Sequence, residues 1–88
     1  MYSGVKEVQP LPDYELLLTF ENNEKRIFDM KPCLNKGLFK QLKDISLFNS
    51  VHVSFDTIQW DNGLDLCPEF LYTESISYTE KIPLKVQV

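Results

Sequence analysis

One histidine, two cysteines and three glycines leave this 88-residue chain few of the side chains from which catalytic and cofactor sites are built. With glycine confined to positions 4, 37 and 63, there is no Gly-x-x-x-x-Gly-Lys phosphate loop and no dinucleotide fingerprint. No stretch approaches the roughly 20 apolar residues that span a bilayer, so no membrane helix is expected. The opening Met-Tyr-Ser-Gly-Val-Lys-Glu-Val has no apolar signal-peptide core, and a cytoplasmic location is expected. In that compartment Cys33 and Cys67 are expected as reduced thiols, and their wide separation matches no zinc-ligand spacing. Excess positive charge is also missing, with nine Lys and Arg against thirteen Asp and Glu and a net charge of −4. A protein that holds nucleic acid through phosphates needs a basic face, so direct nucleic-acid binding is not expected. The densest cationic group, Lys36, Lys40 and Lys43, reads as the solvated side of a short helix.

What is present is an ordinary globular composition, 43% hydrophobic and 25% charged. A chain of this size makes one domain with one modest core. Val5 to Pro10 reads as a short edge strand closed by Pro10 and Pro12. Tyr14 to Phe20 and Lys25 to Asp29 read as a hairpin around Asn22-Asn23, because Asn tolerates the positive φ of a tight turn. A two-residue loop there sets Leu18 opposite Ile27 and Leu17 opposite Phe28, so both faces carry apolar pairs. Either both faces are covered or one is a partner surface.

Met30 to Leu34 reads as an irregular or 3₁₀ turn around Pro32. Leu38, Phe39, Leu42, Ile45 and Phe48 recur at helical spacing, which predicts one or two short helices between Lys36 and Asn49, broken near Lys43-Asp44, with the stripe in the core. Asp44 and Ser46 are both acceptable N-caps. Val51, Val53 and Phe55 alternate as a strand face, and a tight turn at Asp56-Thr57 would set Phe55 opposite Ile58 and Val53 opposite Trp60; a β-bulge competes. For the next hairpin, a three-residue loop, Asp61-Asn62-Gly63, pairs Trp60 with Leu64 and Ile58 with Leu66. The two-residue alternative mixes apolar with polar partners. The chosen register puts Thr57, Gln59, Asp65 and Cys67 on the opposite face, and Pro68 opens a helix. Ile76 to Val88 alternates loosely and contains Pro83.

The run Asp13 to Asn22, the segment Arg26-Ile27-Phe28-Asp29 with Lys31-Pro32, and Trp60 to Leu66 with Pro68 and Leu71-Tyr72 together resemble the small bacterial family called domain of unknown function 2442. The resemblance runs in order from about Val5 to Ser75. It implies a compact α+β domain with an antiparallel sheet and short helices. It implies no chemistry, since members are not established enzymes. Some members are fused to a helix-turn-helix domain, and some are encoded beside another small protein in a toxin–antitoxin-like arrangement. Names invoking molybdopterin biosynthesis attach to some relatives, and no pterin site is visible in this sequence. Asn23 and Asp56 stand where the family commonly has Gly. The thirteen residues after Ser75 are too few for a helix-turn-helix, so the DNA-binding role of fused relatives is not expected to carry over.

The fold expectation is α+β: an antiparallel sheet of about five to six strands built from hairpins, with two or three short helices, ordered β-β-β-α-β-β-β-α. Residues 1–75 are expected as one domain and 76–88 as a C-terminal extension, whether edge strand, partner-binding strand or frayed tail. A catalytic reading would need Cys67 as nucleophile, His52 as base and Asp65 as orienter within hydrogen-bond reach. A zinc reading would need Cys33, His52, Asp65 and Cys67 to converge. Nothing in the spacing assembles either set. No catalytic residue, metal or cofactor is therefore expected. The function expected is a non-catalytic protein-interaction module, antitoxin-like or a regulatory partner of a neighbouring small protein. Homodimerisation through a sheet edge or the C-terminal segment is a further expectation. The alternative is a small-molecule-binding or minor enzymatic domain using the surface of Thr57, Gln59, Asp65 and Cys67.

Overall fold

Residues 4–78 are described by the computed structural model. Among them the fold is α+β, with seven antiparallel strands in two sheets and a few short helices. The larger sheet has the order β1-β2-β3-β7, from Val5–Leu11, Glu15–Phe20, Lys25–Asp29 and Ile76–Ser77. The smaller joins β4 (His52–Ser54), β5 (Thr57–Gln59) and β6 (Asp65–Leu66) in sequence order. Between them run 3₁₀ turns at Lys31–Cys33 and Gly37–Lys43 and a short helix α1 (Ile45–Phe48), and α2 (Pro68–Glu74) follows β6. Strand β7 takes in the first residues of the expected C-terminal extension. Residues 79–88 of that extension lie outside the described residues.

Hairpin β2–β3 differs from its expected register. Leu16 faces Phe28, Leu17 faces Ile27 and Leu18 faces Arg26. The loop holds three residues, Glu21-Asn22-Asn23, with Asn23 at φ 70° and its N–H donating to the Phe20 carbonyl at 2.8 Å. The Asn22 side chain accepts from the Glu24 N–H at 2.9 Å. The β5–β6 hairpin repeats this device. Gly63 sits at φ 90°, its N–H donates to the Trp60 carbonyl at 2.9 Å, and the Asn62 side chain accepts from the Leu64 N–H at 3.1 Å. There the three-residue loop and the Ile58–Leu66 pair stand as the sequence predicts. A middle Asn that caps its own turn, followed by a residue in the left-handed region, defines both loops.

The corrected register gives the larger sheet one core face. Leu16, Leu18 and Phe20 are completely buried there, joined by Phe28 from β3. The opposite face carries a row that crosses all four strands, Gln9, Leu17, Ile27 and Ile76. Apolar pairs therefore do occupy both faces, although the partners differ from those expected.

The β4–β5 turn lies one step earlier than expected. Val53 faces Ile58 and Ser54 faces Thr57, so Phe55 and Asp56 form the loop, at φ 50° and 70°. In this register Val51 falls opposite the buried Trp60. A tertiary contact holds the turn in place: the Val5 N–H donates to the Asp56 carbonyl at 2.7 Å. Phe55, expected on the apolar strand face, is instead 97% exposed. A left-handed conformation costs an L-residue about 1–2 kcal/mol, and an exposed ring recovers none of it by burial.

The apolar stripe between Lys36 and Asn49 is only partly in the core. Leu42 and Phe48 are buried, but Leu38 is 63% and Ile45 53% exposed. Gly37–Lys43 is a 3₁₀ segment. Three residues per turn align Phe39 with Leu42 and rotate Leu38 away. The break falls at Asp44, whose carboxylate accepts from the Ser46 N–H at 3.0 Å and starts α1. Trp60 then ties the small sheet to α1. Its indole N–H donates to the Phe48 carbonyl at 3.1 Å, and its ring meets Phe39 edge-on. One continuous core links the layers, from Val5 and Leu18 through Met30 and Leu42 to Ile58, Trp60 and Leu71.

Candidate functional site

Antiparallel pairing fixes which side chains share a face. In the small sheet His52 lies opposite Gln59, and Gln59 opposite Asp65, so these three form one row. Thr57 belongs to the same face, and its hydroxyl donates to the Leu66 carbonyl. Cys67 follows β6 as the residue preceding α2 and is exposed, as is Asp65. Thr57, Gln59 and Asp65 thus share one face, and Cys67 lies just beyond the end of β6. This face does not assemble a catalytic triad. His52 is on one outer strand and Asp65 on the other, with Cα atoms about 10 Å apart at two strand spacings. His52 instead places Nδ1 3.0 Å from the Ser50 carbonyl and 3.9 Å from Asp61 Oδ1.

Cys33 lies apart from this face, in the turn Lys31–Cys33, and packs half-buried against the core. Burial pushes its thiol above the ordinary value. Among the described residues no three His, Cys, Asp or Glu side chains converge in a metal-ligating group.

The densest polar constellation is one the sequence did not signal. Glu24, at the end of the β2–β3 loop, accepts from the Tyr72 hydroxyl at 2.7 Å and from Arg26 Nη1 at 2.8 Å. Arg26 also donates through Nε to Ser75 Oγ at 2.7 Å and through Nη2 to the Ser75 carbonyl at 2.6 Å. Its guanidinium lies 4.4 Å from the centre of the Tyr72 ring, whose edge contact with Phe20 anchors it from below. The Tyr72 hydroxyl first, and the Arg26 guanidinium second, hold the Glu24 carboxyl below its usual value. Glu24 in turn pushes the Tyr72 hydroxyl up. Every donor group in this cluster is engaged within the fold, so its work is to clamp the end of α2 onto the β2–β3 hairpin. The partners are 48 and 49 positions apart, beyond any local spacing rule.

Two surface features remain. The outer face of the larger sheet has a shallow depression of about 280 Å³ lined by Glu7, Val8, Gln9, Leu17, Thr19 and Lys25. The other is the Phe55 turn, which stands beside the start of β1. The Gly4 backbone packs so closely there that a Cβ on it would come within 2.7 Å of Asp56 Cβ. No helix among the described residues is long and apolar enough to cross a membrane.

Among curated proteins and among solved structures, no significant match exists. A family model described as protein of unknown function (DUF2442) matches residues 5–77, a span that takes in both sheets, both helices and the α2 clamp, and the chain belongs to that family.

Proposed function

We propose that this protein is a non-catalytic cytoplasmic interaction module that binds another protein by extending its four-stranded sheet. The observation that carries the reading is the state of the sheet's edges. Among the described residues no strand pairs with the outer side of β1 beyond its first residue, where the Val5 N–H is taken by the Asp56 carbonyl, and the opposite edge is the two-residue β7. β7 covers only Arg26 and Ile27 of the five-residue β3. Open edges offer backbone donors and acceptors to an incoming strand. Beside them Leu17 and Ile76 share the outer row, and Ile76, 43% exposed, can add side-chain contacts. A net charge of −4 favours encounter with a basic partner.

The partner we propose is the small protein encoded beside this chain's gene, with this chain as its antitoxin-like or regulatory member. Co-expression of the two, one of them tagged, is expected to yield a stoichiometric complex that survives gel filtration. It is also expected to relieve any growth defect that the neighbour causes alone. A neighbour that purifies free of this chain, and whose growth defect persists in its presence, would refute the proposal.

A further inference from the structure

We propose that Phe55 is the side-chain anchor of the interface, inserting into an apolar pocket with a basic rim on the partner protein. This rests on the interaction-module reading and deepens it by selecting the β1 end of the sheet. Two independent observations meet at this residue. The ring is 97% exposed, so it contributes nothing to the core. The backbone is at φ 50°, where a bulky residue is disfavoured and Asn, Asp or Gly is preferred. Folding alone would select against Phe here on both counts. A residue kept at a cost to the fold is the pattern of a functional position.

The setting suits an anchor. The turn is fixed from behind by the Val5–Asp56 bond and by the close approach of Gly4. A ring presented on a fixed turn loses little conformational freedom on docking. Its turn caps the first residue of the edge strand, so a partner strand paired along the rest of β1 ends beside the ring. The charge around it gives the partner's chemistry. Asp56 is exposed in the same turn, and exposed Glu21 donates its N–H to the Gly4 carbonyl, one residue before Val5. Lys6, the cation beside Val5, is held by Asn23 Oδ1 at 2.7 Å, so an exposed ring next to the Asp56 carboxylate calls for an apolar pocket edged with Lys or Arg.

The test uses the full chain and, as probe, the purified product of the adjacent gene. Phe55→Asn keeps a residue that tolerates positive φ. It is expected to raise Tm while weakening the complex at least tenfold, a loss typical of a buried aromatic anchor. Leu38→Asn, at an exposed leucine on the 3₁₀ segment, is expected to leave affinity unchanged. Association is expected to slow as salt is raised. A complex formed equally well by Phe55→Asn overturns the anchor and leaves the interaction-module reading standing. Salt-independent association overturns the basic rim. Failure of the wild-type chain to bind the probe overturns both readings together. A wild-type self-association that Phe55→Asn abolishes makes a second copy the occupant and overturns a separate partner.

Discussion

Replacing Trp60 with Phe tests whether one indole N–H holds the two layers of the fold together. The side chain is 1% exposed, and its N–H donates to the Phe48 carbonyl at 3.1 Å in a buried setting. The Phe48 carbonyl has a second, longer contact, with the Val51 N–H at 3.4 Å, so the substitution leaves it under-satisfied but not abandoned. That places the hydrogen-bond loss near the low end of its range, about 1 kcal/mol. The smaller ring leaves a void of roughly 40 Å³, which adds about 1 kcal/mol, and the lost apolar transfer adds a little less. The expected total is about 2–3 kcal/mol, from a domain whose whole stability is on the order of 5–10 kcal/mol. With a urea m-value of about 1 kcal/mol/M, the midpoint falls by about 2–3 M. Far-UV circular dichroism is the readout, since the substitution removes the only tryptophan. A loss below about 1 kcal/mol would refute the reasoning, because it would mean that the α1 carbonyl and the cavity are both accommodated without cost.

Gly63 sits at φ 90° and a Cβ added there would meet nothing within 4 Å, so Gly63→Ala isolates the backbone penalty; about 1–2 kcal/mol of destabilisation is expected in the same urea assay, whereas Asn23→Gly at the matching loop position is expected to be neutral or slightly stabilising. The depressed Glu24 carboxyl contributes stability that is fully present above its unfolded value of 4.5 and is lost as pH falls through the lower folded value. Tyr72→Phe removes the largest cause of that depression, so Glu24 is expected to titrate at higher pH by carboxyl-detected NMR, and acid destabilisation to track it. Iodoacetamide is expected to label exposed Cys67 before Cys33, whose half-buried thiol is pushed up by burial; peptide mass spectrometry gives the order, and equal rates would contradict the burial assigned to Cys33.

The β5–β6 hairpin is legible in the sequence because only one register puts Trp60, Leu64, Ile58 and Leu66 on one side. The β2–β3 hairpin has the same loop, yet its register is ambiguous from sequence. Leu16, Leu17 and Leu18 are consecutive, so a one-residue slip still pairs apolar with apolar, and the pattern cannot choose. The β4–β5 turn escapes a local reading for another reason. Its position depends on Gly4 and Val5 gripping Asp56 from far along the chain, and a local pattern would rather bury Phe55 than expose it. The polar row of the small sheet follows from its register, while the Glu24–Arg26–Tyr72–Ser75 cluster has no local signature.

That cluster also has a consequence in time. Closing a loop of 49 positions costs about 3–4 kcal/mol of chain entropy, against about 1 kcal/mol for a three-residue hairpin loop. The β2–β3 hairpin is therefore expected to close first, with the Ser75 contact and β7 following. On the ribosome, at roughly 5–20 residues per second, the outer edge of β3 stands uncovered for about 3–10 s while the intervening chain is made. A strand from another chain has that interval in which to reach the edge before β7 does.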